Sequence, residues 1–354
     1  MDLQLLFVGT GGSTPTARRG LPAILVSRGG EHVLVDCGEG TQRQLMRSVV
    51  GLVDVDLVLL THLHTDHWLG LPGLLKTMDL REREAPLTIA GPEGTRSALD
   101  TVLGVVGHVG YPLSVVELAI GDRMDRDGWA IEALEARHRT AARGYLLVED
   151  DRPGRFDPDR ARAGGVTDPR DFGRLQRGET VGGVDPADVM GPPRRGRRIV
   201  ISGDTRPAPG IAAAAEGADL LVHEATFTDE YGGRARKTGH STASEAASLA
   251  AEAGVATLAL VHLSARHRPS DALDEARAIY PGALLPRDFD VIEVPFPERG
   301  PAVHVPRGGR PPRTRGAVPS GPADAADARG ADDGRLDDPD EDATAAAPDD
   351  RRAR

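Results

Sequence analysis

Asp56-Leu57-Val58-Leu59-Leu60-Thr61-His62-Leu63-His64-Thr65-Asp66-His67-Trp68-Leu69-Gly70-Leu71-Pro72-Gly73-Leu74-Leu75 opens with a short apolar run and then places four ligand-type side chains, His62, His64, Asp66 and His67, within six residues. The run has the pattern of a strand buried on both faces. His62 and His64 lie two apart, so an extended backbone aims both to one side. Asp66 and His67 are adjacent, diverge, and can serve a second ion beside the first. One His in such a place is more often a helix cap or a solvated group. Three imidazoles and a carboxylate this close would repel one another if protonated and would be costly to bury unpaired. A bound cation removes both difficulties, and His with Asp suits zinc or a similar borderline divalent ion.

The 354 residues suffice for one large domain or two ordinary ones, and 39% hydrophobic residues can form a core although aromatics reach only 3%. Lysine is confined to Lys76 and Lys237, with arginine in its place. A net charge of −11 gives no global prior for nucleic acid, so a polyanion partner must be met by a local basic patch or by metal charge. Cys37, the one cysteine, cannot form an internal disulfide and reads as a small core residue. The N-terminal Met1-Asp2-Leu3-Gln4 lacks a basic region followed by a long apolar stretch, and no run approaches the roughly 18–20 apolar residues of a membrane span. The expectation is a cytoplasmic protein with no membrane contact.

Outward from the histidine stretch, Leu3–Val8 reads as a strand followed by Gly9-Thr10-Gly11-Gly12-Ser13-Thr14-Pro15. A dinucleotide fingerprint would need glycine where Thr14 stands, so no nucleotide cofactor is expected; a tight turn bringing backbone amides to a site remains open. Leu21–Ser27 and His32–Asp36 form a hairpin pattern around Gly29-Gly30. Helix–strand alternation then continues to Gly144–Val148 and resumes at Arg198–Ser202, fitting two β-rich halves in an αββα four-layer sandwich. Between Asp150 and Arg197 the periodicity disappears, and Arg152–Arg177 holds seven Arg against four Asp. A connection of this length inside a compact domain is functional or disordered. Ser241 or Thr242 caps an Ala-rich helix reaching Ala253. From about Gly300 the chain is Pro, Arg, Ala, Gly and Asp, the composition of a disordered tail. The expected organisation is a catalytic domain over 1–299, an inserted arm over 150–197, and a tail over 300–354.

A two-ion site needs more ligands than the opening cluster supplies. His138, Asp204 and His262 each follow an apolar strand, where they can reach the first motif. The resulting expectation is His62, His64 and His138 on one zinc, Asp66, His67 and His262 on the other, and Asp204 bridging both with its two oxygens. Two zinc ions about 3.5–4 Å apart lower the pKa of a water and clamp a phosphodiester for in-line displacement. The leaving oxygen needs a proton donor; His240 lies outside the ligand set, and Glu224 can orient it and favour its charged form.

The pattern His-x-His-x-Asp-His after a buried strand resembles that of the metallo-β-lactamase superfamily. Phe7-Val8-Gly9-Thr10-Gly11, Asp36-Cys37-Gly38-Glu39-Gly40-Thr41-Gln42, Gly203-Asp204-Thr205-Arg206, His223-Glu224-Ala225-Thr226 and His240-Ser241-Thr242 are similar, in family order, to the motifs of ribonuclease Z, the tRNA 3′-processing endoribonucleases. The resemblance runs from residue 3 to about 294 and includes the insertion. It implies the metallo-β-lactamase fold, two Zn2+ per subunit with Mn2+ or Fe2+ as substitutes, and cleavage of the 3′ trailer from precursor tRNA. It further implies that Asp66 handles the attacking water's proton, that His240, supported by Glu224, assists departure of the 3′ oxygen, and that 150–197 is an exosite arm gripping the tRNA elbow, usually across a homodimer. Asp168-Pro169-Arg170-Asp171 stands before Phe172-Gly173 where many relatives have Gly-Pro, and His267 stands where relatives often have Tyr. His32, His108 and His304 match no site motif. The alternative activity is that of a small-molecule phosphodiesterase or another hydrolase of the superfamily, which would not call for a long basic arm.

Overall fold

The computed structural model describes residues 2–48, 50 and 55–308. Six strands come first: β1 (Leu3–Gly9), β2 (Ala23–Arg28), β3 (Glu31–Val35), β4 (Leu57–Leu59), β5 (Leu87–Gly91) and β6 (Leu113–Glu117). Six more follow: β7 (Arg123–Arg126), β8 (Trp129–Glu135), β9 (Arg143–Glu149), β10 (Arg198–Ile201), β11 (Leu220–Glu224) and β12 (Leu258–Val261). Then β13 (Val291–Glu293) and β14 (Val303–Val305) return to the first sheet. Among the described residues one sheet runs β14-β13-β1-β2-β3-β4-β5-β6 and the other β12-β11-β10-β9-β8-β7.

The strand β4 shows why the sheets stack as they do. It lies between β3 and β5, parallel to both, and its side chains alternate between two layers. Leu57 and Leu59 enter the core between the sheets with Phe7, Tyr145, Ile201 and Val222. Val58 and Leu60 face the outer helices and pack with Leu45, Leu74, Leu75 and Met78. On the far side of the second sheet, Val200, Leu221 and Leu258 meet the Ala-rich helices Pro209–Ala215, Ala243–Glu252 and Pro269–Ile279. Alanines let these helices lie close to the sheet, so few aromatics are needed to fill the interior. The order of layers is αββα. Among the described residues no helix is long and apolar enough to cross a membrane.

The insertion is ordered by a signal that periodicity does not register. Asp157-Pro158, Asp168-Pro169 and Asp185-Pro186 each start a short helix (Pro158–Ala163, Pro169–Gln176 and Pro186–Val189), with the aspartate side chain accepting backbone N–H bonds at the N-cap. Ala161, Val166, Leu175, Val181, Val184 and Val189 bury a small separate core. The arm's basic excess is largely neutralised: Arg160, Arg162, Arg174 and Arg177 pair with Asp157, Asp159, Asp171 and Glu179. Arg155 and Arg170 are exposed and have no such partner among the described residues.

The expected tail boundary at 300 requires correction. Val303–Val305 adds an edge strand to β13, held by His304 and the Arg307 amide on the buried Asp290 carboxylate (both 2.8 Å). Composition alone missed it because three residues suffice once a partner edge is waiting. Residues 309–354, the rest of the expected tail, lie outside the described residues.

Candidate metal centre and active site

The histidine stretch leaves β4 in extended form and turns at once into the short helix Thr65–Trp68. That turn separates the two ligand pairs. His62 Nε2 lies 3.0 Å from His64 Nδ1, and His138 Nε2 reaches the same His64 atom at 3.1 Å. His67 Nε2 lies 3.2 Å from His262 Nε2, and Asp66 Oδ2 sits 3.7 and 3.5 Å from these two nitrogens. One oxygen of Asp204, Oδ2, faces both groups: it is 3.7 Å from His62 Nε2, 3.4 Å from His67 Nε2 and 3.3 Å from His262 Nε2. The structure thus brings together all seven residues expected as ligands, from four separated regions of the chain.

The protons on the far side of each ring decide what these nitrogens can do. His67 Nδ1–H donates to Asp36 Oδ2 (2.8 Å), and His138 Nδ1–H donates to the Gly239 carbonyl (2.6 Å). Thr61 gives its hydroxyl proton to Asp36, so it accepts from His62 Nδ1 (3.1 Å). Thr226 gives its own to Glu224, so it accepts from His262 Nδ1 (2.8 Å). Two carboxylate–threonine–histidine relays therefore leave Nε2 of these four rings with a lone pair aimed inward. Lone pairs about 3 Å apart repel unless a cation lies among them. Tetrahedral zinc at 2.0–2.1 Å from nitrogen would separate its ligands by about 3.3 Å, close to the spacings here. The donor set fits a divalent metal.

Charge in the pocket agrees. Burial pushes His62, His64 and His138 below the usual imidazole range, into the ligand form. Burial also opposes ionisation of Asp66, but the hydrogen bond and charge of His262, with the charge of His67, hold its carboxyl well below the ordinary range. His67 is driven the other way: Asp204 and Asp36 outweigh its burial and hold it well above its ordinary value. Two carboxylates set against buried imidazoles make this a pocket that attracts positive charge.

Beside these seven residues, His240 Nδ1 lies 3.0 Å from Glu224 Oε1 and 3.6 Å from Asp204 Oδ2, with its ring stacked on His262 at 5.5 Å. Burial disfavours its charge, yet the Glu224 carboxylate pushes it up to about 9. Glu224 ends the fully buried strand β11 and is fixed by the Thr205 amide (2.7 Å). The loop after β1 closes the other side. The Ser13 amide donates to Asp66 Oδ2 (2.8 Å), and a Cβ at Gly12 would come within 2.5 Å of the His262 ring, so only glycine passes there.

Sequence reading gave no role to Asp36 or Thr226, although both stand inside motifs it singled out. Asp36 has φ +60° and His262 +59°, left-handed conformations that side chains seldom adopt. His267 donates to the Thr226 carbonyl (2.9 Å), and His32 rests on Ser27; neither joins the cluster.

Comparison with known proteins agrees with this geometry. The family model of the metallo-beta-lactamase superfamily matches residues 19–262. The chain is 47% identical to the ribonuclease Z of Halorubrum lacusprofundi over 308 residues, covering 84% of this chain and 99% of that one. It is 46% identical to that of Myxococcus xanthus, covering 83% and 98%. Among solved structures, the short form of human tRNase Z superposes with a TM-score of 0.61 at 28% identity, covering 82% of this chain and 99% of that one. YhfI of Bacillus subtilis, at 19% identity, TM-score 0.62, and coverage of 83% and 100%, shares the fold. A family model matched over most of the chain, and relatives 46–47% identical over nearly their whole length, decide the matter: the chain belongs to the ribonuclease Z family of the metallo-β-lactamase superfamily.

Proposed function

We propose that this protein is a dizinc endoribonuclease that removes the 3′ trailer from precursor tRNA. The observation that carries the reading is the His240–Glu224 pair placed against Asp204, within reach of both ligand groups. His62, His64 and His138 would hold one ion, Asp66, His67 and His262 the other, and Asp204 both. When bound, the two ions supply Lewis-acid charge that makes a water nucleophilic near neutral pH and offsets negative charge on the phosphate.

The protein's own groups then handle protons. Asp66, kept anionic and oriented by the Ser13 amide, accepts a proton from the attacking water. The new bond joins water oxygen to phosphorus, and the bond to the 3′ oxygen breaks. His240, kept protonated by Glu224, delivers its proton to that departing oxygen. The products are a tRNA 3′-hydroxyl and a trailer 5′-phosphate. The arm over 150–197 is the surface for the tRNA body, with Arg155 and Arg170 exposed to meet phosphates; recognition by backbone and shape suits a chain with few aromatics. A cytoplasmic homodimer, one protomer's arm serving its partner's site, completes the reading.

The test is incubation of metal-loaded protein with a precursor tRNA, followed by end-group analysis of both fragments. The expected result is the 3′-hydroxyl and 5′-phosphate pair, lost in Asp66→Ala. No cleavage by the parent protein, or full activity in the variant, overturns the reading.

A further inference from the structure

The feet of the arm carry Arg152 on the outgoing side and Arg194-Arg195-Gly196-Arg197 on the return. From sequence these belong to a basic arm facing RNA. In the structure each guanidinium is already engaged. Arg195 forks onto Asp219 (2.9 and 2.8 Å), just before β11. Arg197 is buried, forking onto Glu149 (2.7 Å twice), which also accepts from Arg28 of β2 at 2.8 Å. Arg152 gives both terminal nitrogens to Glu298 (3.0 and 2.9 Å), and Arg194 adds a third bond to the same carboxylate (3.0 Å). Next to it, the Phe296 ring lies beneath both Arg152 and Arg197, their guanidinium carbons 3.5 and 4.2 Å from its centre.

The feet are also closed on each other. Arg152 and Arg194 exchange backbone bonds of 2.7 and 2.9 Å. A Cβ at Gly154 would lie 1.8 Å from the Gly191 carbonyl oxygen, so the two strands of the stalk touch as bare backbone. Two chains alone would let the arm pivot. Ties to the segment after β13, to the start of β11 and to the end of β9 run in three directions, and they remove that freedom.

We infer that Phe296 and Glu298 are positioning residues: they lock the root of the arm, so that RNA held by the arm is offered in one orientation to the metal centre that the arm serves. The inference rests on the proposed tRNA-processing activity. Its physical basis is orientational: a freely pivoting arm must give up that freedom each time RNA spans both the arm and the metal centre, which weakens productive binding. Glu298 touches neither metal ligands nor His240, so its effect depends on substrate size.

The experiment compares metal-loaded full-length protein with Glu298→Ala, Glu298→Gln, Arg194→Ala and the Glu298→Ala/Arg194→Ala double variant. The substrates are a precursor tRNA and bis(p-nitrophenyl) phosphate. Removing a partly exposed, charge-assisted contact should raise the KM for precursor tRNA roughly three- to tenfold, with hydrolysis of the small diester unchanged. Glu298→Gln, which keeps an acceptor, should rise less. The double variant should be no worse than the worse single one, and the dependence of KM on salt should keep its slope, because no phosphate contact is lost. Amide exchange at Arg152 and Arg194 should quicken in Glu298→Ala. Equal loss on both substrates, an unchanged KM, or additive effects with a shallower salt slope in Arg194→Ala would each overturn the lock. Failure of the parent protein to cut precursor tRNA would instead overturn the proposed reaction itself.

Discussion

Replacing Asp36 by Asn tests whether the groups behind the ligands set metal affinity. Asp36 is 5% exposed at the end of β3, and its left-handed backbone is one that Asn also tolerates. Its carboxylate accepts three bonds: from the Thr61 amide (2.8 Å), the Thr61 hydroxyl (2.9 Å) and His67 Nδ1 (2.8 Å). Asn can keep the first through its carbonyl oxygen. Its NH2 then faces the other two donors, and the charge opposite His67 is gone. Loss of such an outer partner weakens metal binding by about 10–100-fold, or about 1.4–2.7 kcal/mol. The loss should fall on the group of Asp66, His67 and His262. His62 feels Asp36 only through Thr61, and His64 and His138 do not touch it, so the other group should weaken less. Titration of stripped protein with zinc against a chromophoric chelator gives both affinities. Two unchanged affinities, or equal weakening of both, would refute the reasoning.

Two further outcomes follow from the same geometry. His240→Ala should lower turnover of precursor tRNA by roughly 10²–10⁴-fold, the usual worth of a proton donor, while largely sparing bis(p-nitrophenyl) phosphate, whose leaving group departs without a proton; equal loss on both would remove His240 from that role. At the arm root, the hydrogen bonds from Arg152 lead in holding the Glu298 carboxyl at about 2, below its ordinary 4.5. A lowered carboxylate pKa stabilises the fold above the unfolded value and ceases to do so as pH falls through the folded one. Protection of the amides at the arm feet, taken relative to their intrinsic exchange rate at each pH, should thus be constant above pH 4.5 and fall towards pH 2, a dependence absent in Glu298→Gln.

Local chemistry made much of this protein legible. An apolar run followed by His62, His64, Asp66 and His67 fixes a strand, a turn and two ligand directions, because backbone periodicity alone sets them. The start of the Ala-rich helix is read the same way, from spacing: of the two candidate caps, Ser241 and Thr242, the structure uses Thr242, in a capping box with Glu245. His138, Asp204 and His262 were reachable because each ends an apolar strand. Other features were written locally but in a different code: the three Asp-Pro starts of the arm are capping signals, invisible to a search for hydrophobic period. What the tertiary structure alone decided is pairing across distance. Among 43 Lys and Arg and 54 Asp and Glu, nothing in the order of residues tells that Glu298 takes Arg152 and Arg194, or that Asp36 stands behind His67. Those choices follow from how four layers close on one another: packing brings side chains together from elements far apart in the chain, and once buried each charge must find a partner there.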